Sequence, residues 1–181
     1  MSNKKVLTIK KTFVLAVQNH KNNNLQDAQN YYQKVLELDP NHVDTLNNLG
    51  VIFQKLGKNQ KAKECYEKAI EINPNYADAL NNLGVVFKEL RENQKAKECY
   101  EKAIEINPNY ADALNNLGVV FKELRENQKA KECYEKAINI NPNYANAHNN
   151  LGIIFQILGK NQDAKECYEK AININPNYAN A

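Results

Sequence analysis

Five prolines impose a period on this chain. Pro40, Pro74, Pro108, Pro142 and Pro176 each follow the last by 34 residues. Residues 77–110 read ADALNNLGVVFKELRENQKAKECYEKAIEINPNY, and 111–144 repeat them with a single change, Glu105 to Asn139. Segments 43–76 and 145–178 differ from these mainly in their first halves. A fixed period of this size means one supersecondary unit stacked on itself. No such unit buries its apolar face alone, so stability comes from neighbours. The one or two globular domains that length alone would allow are thereby excluded.

Within 77–110, Leu80, Leu83, Phe87 and Leu90 form one stripe of an amphipathic helix, with Gly84 beside it. Ala96, Tyr100 and Ala103 form a second stripe, with Ile104 and Ile106 next to it. Asn93 is placed to N-cap the second helix, and Asn107-Pro108-Asn109 ends it, because proline cannot continue a helix. Gly84, Ala96 and Ala103 are expected to meet where the two helices cross. Gly57 and Gly159 stand where the first helix must end, whereas Arg91 and Arg125 occupy that place in the middle repeats. Either those arginines are left-handed or the first helix there runs a residue longer.

The series Leu80, Leu83-Gly84, Phe87, Ala96, Tyr100, Pro108 resembles the tetratricopeptide repeat, whose pattern is W-x2-L-G-x2-Y, A-x3-F, P at the same period. The resemblance runs from about residue 9 onward, with His148 in the Trp place of the last repeat. It implies an all-α fold: an α-solenoid of five helix-turn-helix repeats in a right-handed superhelix. The division is a tail (1–8), a degenerate first repeat (9–42), full repeats 43–76, 77–110, 111–144 and 145–178, and the start of a further repeat (179–181). The first repeat has Asn22-Asn23-Asn24 in place of the turn glycine and resembles those that open long bacterial arms ahead of glycosyltransferase or sulfotransferase domains. The abrupt end suggests a longer parent protein. An uncapped last repeat, with Ala164, Cys167, Tyr168, Ala171 and Ile172 on its second helix, is expected to associate as a homodimer.

The sequence offers no catalytic constellation, phosphate loop or metal motif, so it reads as a non-enzyme without cofactor. Cys65, Cys99, Cys133 and Cys167 recur at the repeat period. At roughly 18–20 Å between stacked pairs they are too far apart for disulfides, and they read as small apolar residues filling a helix crossing. His20, His42 and His148 lack ligand spacing. Glu64 and Lys68, Glu98 and Lys102, Glu132 and Lys136, and Glu166 and Lys170 are spaced as helix-surface ion pairs. With 24 Lys and Arg against 21 Asp and Glu, and no basic stripe, nucleic acid is not implied. There is no apolar run of membrane-spanning length, and the N-terminus does not read as a signal peptide. The expected location is intracellular, in the cytoplasm.

One recurrent feature points to binding. Each full repeat carries an asparagine pair: Asn47 and Asn48, Asn81 and Asn82, Asn115 and Asn116, Asn149 and Asn150. The family resemblance places these on first helices lining a concave groove, with Asp78, Asp112, Lys88 and Lys122. The second Asn of each pair resembles the asparagine ladder in the arm of O-linked N-acetylglucosamine transferase. An amide is both donor and acceptor, so it can hold an extended peptide backbone without reading its sequence. The expected function is a protein-interaction scaffold for peptide segments. The alternatives are the substrate-recruiting arm of a larger enzyme, such as a glycosyltransferase, and a self-assembly module.

Overall fold

A computed structural model describes residues 3–177. Among them are ten α-helices and no strand: α1 (Asn3–Lys21), α2 (Leu25–Leu38), α3 (Val43–Lys55), α4 (Asn59–Ile72), α5 (Ala77–Glu89), α6 (Asn93–Ile106), α7 (Ala111–Glu123), α8 (Asn127–Ile140), α9 (Ala145–Ile157) and α10 (Asn161–Ile174). The fold is all-α, as the periodicity predicts. Residues 179–181 lie outside the described residues. Residues 3–8, expected as a tail, extend α1 by nearly two turns, with the Thr8 and Thr12 hydroxyls donating to the Lys4 and Thr8 carbonyls.

The chain divides into two compact units, one up to Val86 and the other from Phe87. In the first, α1 packs on α2, α2 on α3 and α3 on α4. In the second, α6 packs on α7, α7 on α8, α8 on α9 and α9 on α10, with α7 also touching α9.

Within a pair, the closest contact is glycine against tyrosine. A Cβ on Gly50 would lie 2.5 Å from the Tyr66 ring, one on Gly118 2.6 Å from Tyr134, and one on Gly152 2.6 Å from Tyr168. The glycine costs about 0.5–1 kcal/mol of helix propensity. In return a ring lies directly on helix backbone, and Tyr66 and Tyr134 are completely buried. At Gly50, Gly118 and Gly152 the missing side chain admits a tyrosine ring. Ala137 of α8 packs with Leu114 of α7 and Ala147 of α9, where the next repeat joins. Leu80, Leu83 and Phe87 are buried as expected, but Leu90 is exposed because α5 ends one residue before it.

The turn inside each pair is the same at all five places. Asn23, Gly57, Arg91, Arg125 and Gly159 have φ of 59°, 69°, 62°, 61° and 72°. The next N–H bonds back across the turn: Lys58 to the Phe53 carbonyl, Glu92 to Phe87 and Glu126 to Phe121, each at 2.8 Å. This is the Schellman arrangement, and the arginines are left-handed. It also moves the second helix's cap. The Ala96 N–H bonds the Glu92 carbonyl at 3.0 Å, so Glu92 is the cap residue and Asn93 the first helical one. The predicted Asn93 cap is displaced because the residue closing the Schellman turn already has the capping position. Between pairs, the Asn-Pro turn is closed by Asn73 and its equivalents. The Asn73 side chain accepts the Asn75 N–H at 3.1 Å, and its carbonyl accepts the Tyr76 N–H at 3.1 Å.

The predicted Glu-to-Lys surface pairs do not form. Glu64, Glu98, Glu132 and Glu166 accept instead from Gln60, Gln94, Gln128 and Gln162, at 3.0–3.1 Å. Lys63, Lys97, Lys131 and Lys165 pair with Glu67, Glu101, Glu135 and Glu169. The Glu64, Glu98, Glu132 and Glu166 carboxylates are each taken by the glutamine one turn before, while Lys68, Lys102, Lys136 and Lys170 stay exposed to water.

Positive φ is strained for arginine and free for glycine. Arg91→Gly and Arg125→Gly should each raise stability by up to about 1 kcal/mol, reduced by glycine's greater unfolded-state freedom. Urea unfolding of the double variant checks this; a lower midpoint contradicts it.

Candidate functional site

The asparagine pairs divide by burial. Asn47, Asn81 and Asn115 are buried, Asn149 is half-buried, and Asn48, Asn82, Asn116 and Asn150 are all half-buried. In the first unit, the Asn82 amide donates to Asn47 Oδ1 at 3.0 Å. In the second, the Asn150 amide donates to Asn115 Oδ1, also at 3.0 Å. The second Asn of one repeat therefore satisfies the buried first Asn of the repeat before it. An Asn side chain has two amide hydrogens and a carbonyl oxygen, so this bond fixes the half-buried amide and commits only one of its hydrogens. The first repeat has Phe13 where the later ones have the first Asn. There Asn48 sits beside the Tyr32 phenol, which burial pushes up to about 12 and the Asn48 amide draws slightly down.

The charged positions also have distant partners, within a repeat for the aspartates and in the next repeat for Lys88. The Tyr144 hydroxyl donates to Asp112 at 2.6 Å, as Tyr76 does to Asp44 at 3.0 Å. Asp78 is exposed. Lys88 pairs with Glu123 of the following repeat, and the Asn93 amide donates to the other oxygen of the same carboxylate at 3.2 Å. The next repeat has Ile157 where Glu123 stands, so Lys122 has no carboxylate in that place. Ile157 itself is 53% exposed.

Lys122 also changes the layer beneath it. Tyr66 donates to Gln54 and Tyr168 to Gln156, both at 3.1 Å. Lys122 replaces that glutamine, and the Tyr134 hydroxyl is buried without a partner. The sequence reading missed Glu123, Tyr76, Tyr144 and the glutamines. The signal was present: partners recur at separations close to one period, 32 residues for Tyr and Asp, 35 for Asn and Asn.

The remaining reactive groups have structural places. The four cysteines are free thiols, and burial pushes Cys65 and Cys133 up to about 11. His42 caps α3 by accepting the Thr45 N–H at 3.3 Å. His148 is buried, with its ring nitrogen 2.9 Å from the Pro142 carbonyl. Burial and nearby Lys55 lower the His20 pKa. Among the described residues no group of three or more His, Cys, Asp or Glu could hold a metal, and no helix is long and apolar enough to cross a membrane.

The pattern described as "Tetratricopeptide repeat" matches residues 43–76, 77–110, 111–144 and 145–178, and a second, "TPR repeat", matches 19–57. The chain belongs to the tetratricopeptide repeat family. No curated protein matches it. Among solved structures, MamA is 30% identical with a TM-score of 0.77, covering 92% of this chain and 98% of its own. YrrB, titled a TPR protein with an unusual peptide-binding site, is 25% identical with a TM-score of 0.70, covering 91% and 85%. PilF of Pseudomonas aeruginosa, 23% identical with a TM-score of 0.87 over 94% and 78%, shares the fold. Repeats of this family are generally protein-interaction scaffolds.

Lys122→Gln should restore an acceptor to the Tyr134 hydroxyl. We expect a gain of about 1 kcal/mol, read as a higher urea midpoint; no gain would mean Tyr134 is already satisfied.

Proposed function

We propose that the chain is a non-catalytic scaffold that holds extended peptide segments against its first helices. Asn48 and Asn82 would serve in the first unit, and Asn116 and Asn150 in the second. The observation carrying this reading is the Asn-to-Asn bond. It holds the Asn82 and Asn150 amides in place while leaving a carbonyl oxygen and an amide hydrogen of each outside that bond. A fixed donor and acceptor lose little freedom on binding, which favours affinity. Asp78, Asp112, Lys88 and Lys122 flank these amides in sequence; Lys122 has no carboxylate at the place where Lys88 finds one. The peptide-binding site named for YrrB supports the same reading.

A second reading, self-association through α10, is favoured by its uncovered side. Tyr66, Tyr100 and Tyr134 are fully buried, whereas Tyr168 is half-buried and Ile172 is 38% exposed. Apolar area taken from water contributes about 25 cal/mol per Å².

Changing Asn48, Asn82, Asn116 and Asn150 together to Ala should lose about 0.5–1.5 kcal/mol of binding per peptide hydrogen bond, measured on a peptide array. Asn47 and Asn115 would lose their donors, so stability should fall as well, by about 1 kcal/mol at each. Circular dichroism must show the helices intact during the assay. Unchanged array binding sinks the ladder, and so does a variant that fails to fold. For the second reading, the mass measured by light scattering should rise with concentration for the parent chain and stay monomeric for Ile172→Lys. A parent mass that stays constant removes it.

A further inference from the structure

We infer that α1 is a docking helix for an anionic lipid bilayer. Its 19 residues include Lys4, Lys5, Lys10, Lys11 and Lys21 and no Asp or Glu. Lys4, Leu7, Lys11, Val14, Gln18 and Lys21 are spaced alternately three and four apart, so they form one stripe, and every one is exposed. Lys10 and Leu15 flank it and are exposed too. The opposite side carries the buried Ile9 and Ala16. Leu7, Val14 and Leu15 are 52%, 46% and 44% exposed, which places apolar side chains in water interspersed with lysines.

Comparison with the later repeats shows that this face is not built to receive another repeat. Thr45, Ala79, Ala113 and Ala147 stand in the place of Lys11, and Ile52, Val86, Val120 and Ile154 in that of Gln18; all are completely buried. A second copy stacking there would bury the Lys11 ammonium and the Gln18 amide at positions otherwise occupied by small or apolar groups, at a large desolvation cost. A bilayer makes no such demand. Leu7, Val14 and Leu15 enter the boundary between head groups and acyl chains, while Lys4, Lys10, Lys11 and Lys21 lay their stems along it and keep their ammonium groups at the phosphates. Five lysines and no carboxylate on one helix of 19 residues suit a surface of uniform negative charge, as an anionic bilayer presents.

The test is co-sedimentation with vesicles of phosphatidylcholine alone and of equal parts phosphatidylcholine and phosphatidylserine. Binding is expected only to the mixed vesicles, and high salt should release it. Each lysine near such a surface strengthens partitioning about fivefold, so Lys10→Glu with Lys11→Glu should weaken it by about a hundredfold or more. Lys68→Glu with Lys102→Glu makes the same change in net charge away from α1 and should leave binding nearly intact. Leu7→Ser with Val14→Ser, lysines untouched, should weaken it by about tenfold. Circular dichroism confirms that each variant is folded. Absence of binding to the mixed vesicles overturns the inference. So does binding that ignores Leu7→Ser and Val14→Ser, because any basic surface would then serve. Binding of an acidic peptide to α1 with no vesicle binding assigns the face to a protein partner and overturns it as well.

Discussion

A tyrosine ring laid on bare helix backbone holds three of these helix pairs together. Gly50, Gly118 and Gly152 give up helix propensity so that Tyr66, Tyr134 and Tyr168 can approach to a distance that even a methyl group would block. Much follows from that contact. It sets how closely those helices run. The turn within every pair needs a left-handed residue, a condition met by glycine at two places, asparagine at one and arginine at two. The hydroxyl at the far end of the ring needs an acceptor, which Gln54 and Gln156 supply.

Joints between repeats have a different chemistry. Their apolar part packs alanines against larger side chains, Ala137 and Ala147 with Leu114 and Ile138. Register comes from polar pairs reaching from one repeat to the next: Asn82 to Asn47, Asn150 to Asn115, and Lys88 to Glu123. A buried amide without its donor costs more than the pair contributes when made, so these bonds penalise misaligned stacking. On the proposed reading Asn82 and Asn150 would serve both packing and binding. The first repeat, with Phe13 and Val14 in place of the asparagines, makes no such bond and exposes Val14 instead.

The exposed face of α1 and the asparagine face place the two proposed activities at different positions on the chain. One is a set of exposed apolar side chains interspersed with lysines on a single helix. The other is a row of amides made by consecutive repeats. They differ in the forces available: charge density and insertion for the first, directed hydrogen bonds for the second.

Much of this was written in the sequence. The proline spacing and the two apolar stripes determined the helices, their pairing and the all-α class, because burial of a stripe at helical period admits few other solutions. The left-handed turn was legible at Gly57 and Gly159, where only the backbone geometry matters, and ambiguous at Arg91 and Arg125, where propensity and geometry conflict. Only the tertiary structure decided that the first asparagine of the first three pairs is buried and that neither of the fourth is, since that depends on the neighbouring repeats. It alone exchanged the expected Glu-to-Lys pairs for glutamine contacts, and the Asn93 cap for Glu92. It also put Glu123 beside Lys88. A repeating sequence states what each unit contains. Which side chains of two units touch depends on how closely the helices approach, and a ring on a glycine sets that distance only once the chain has folded.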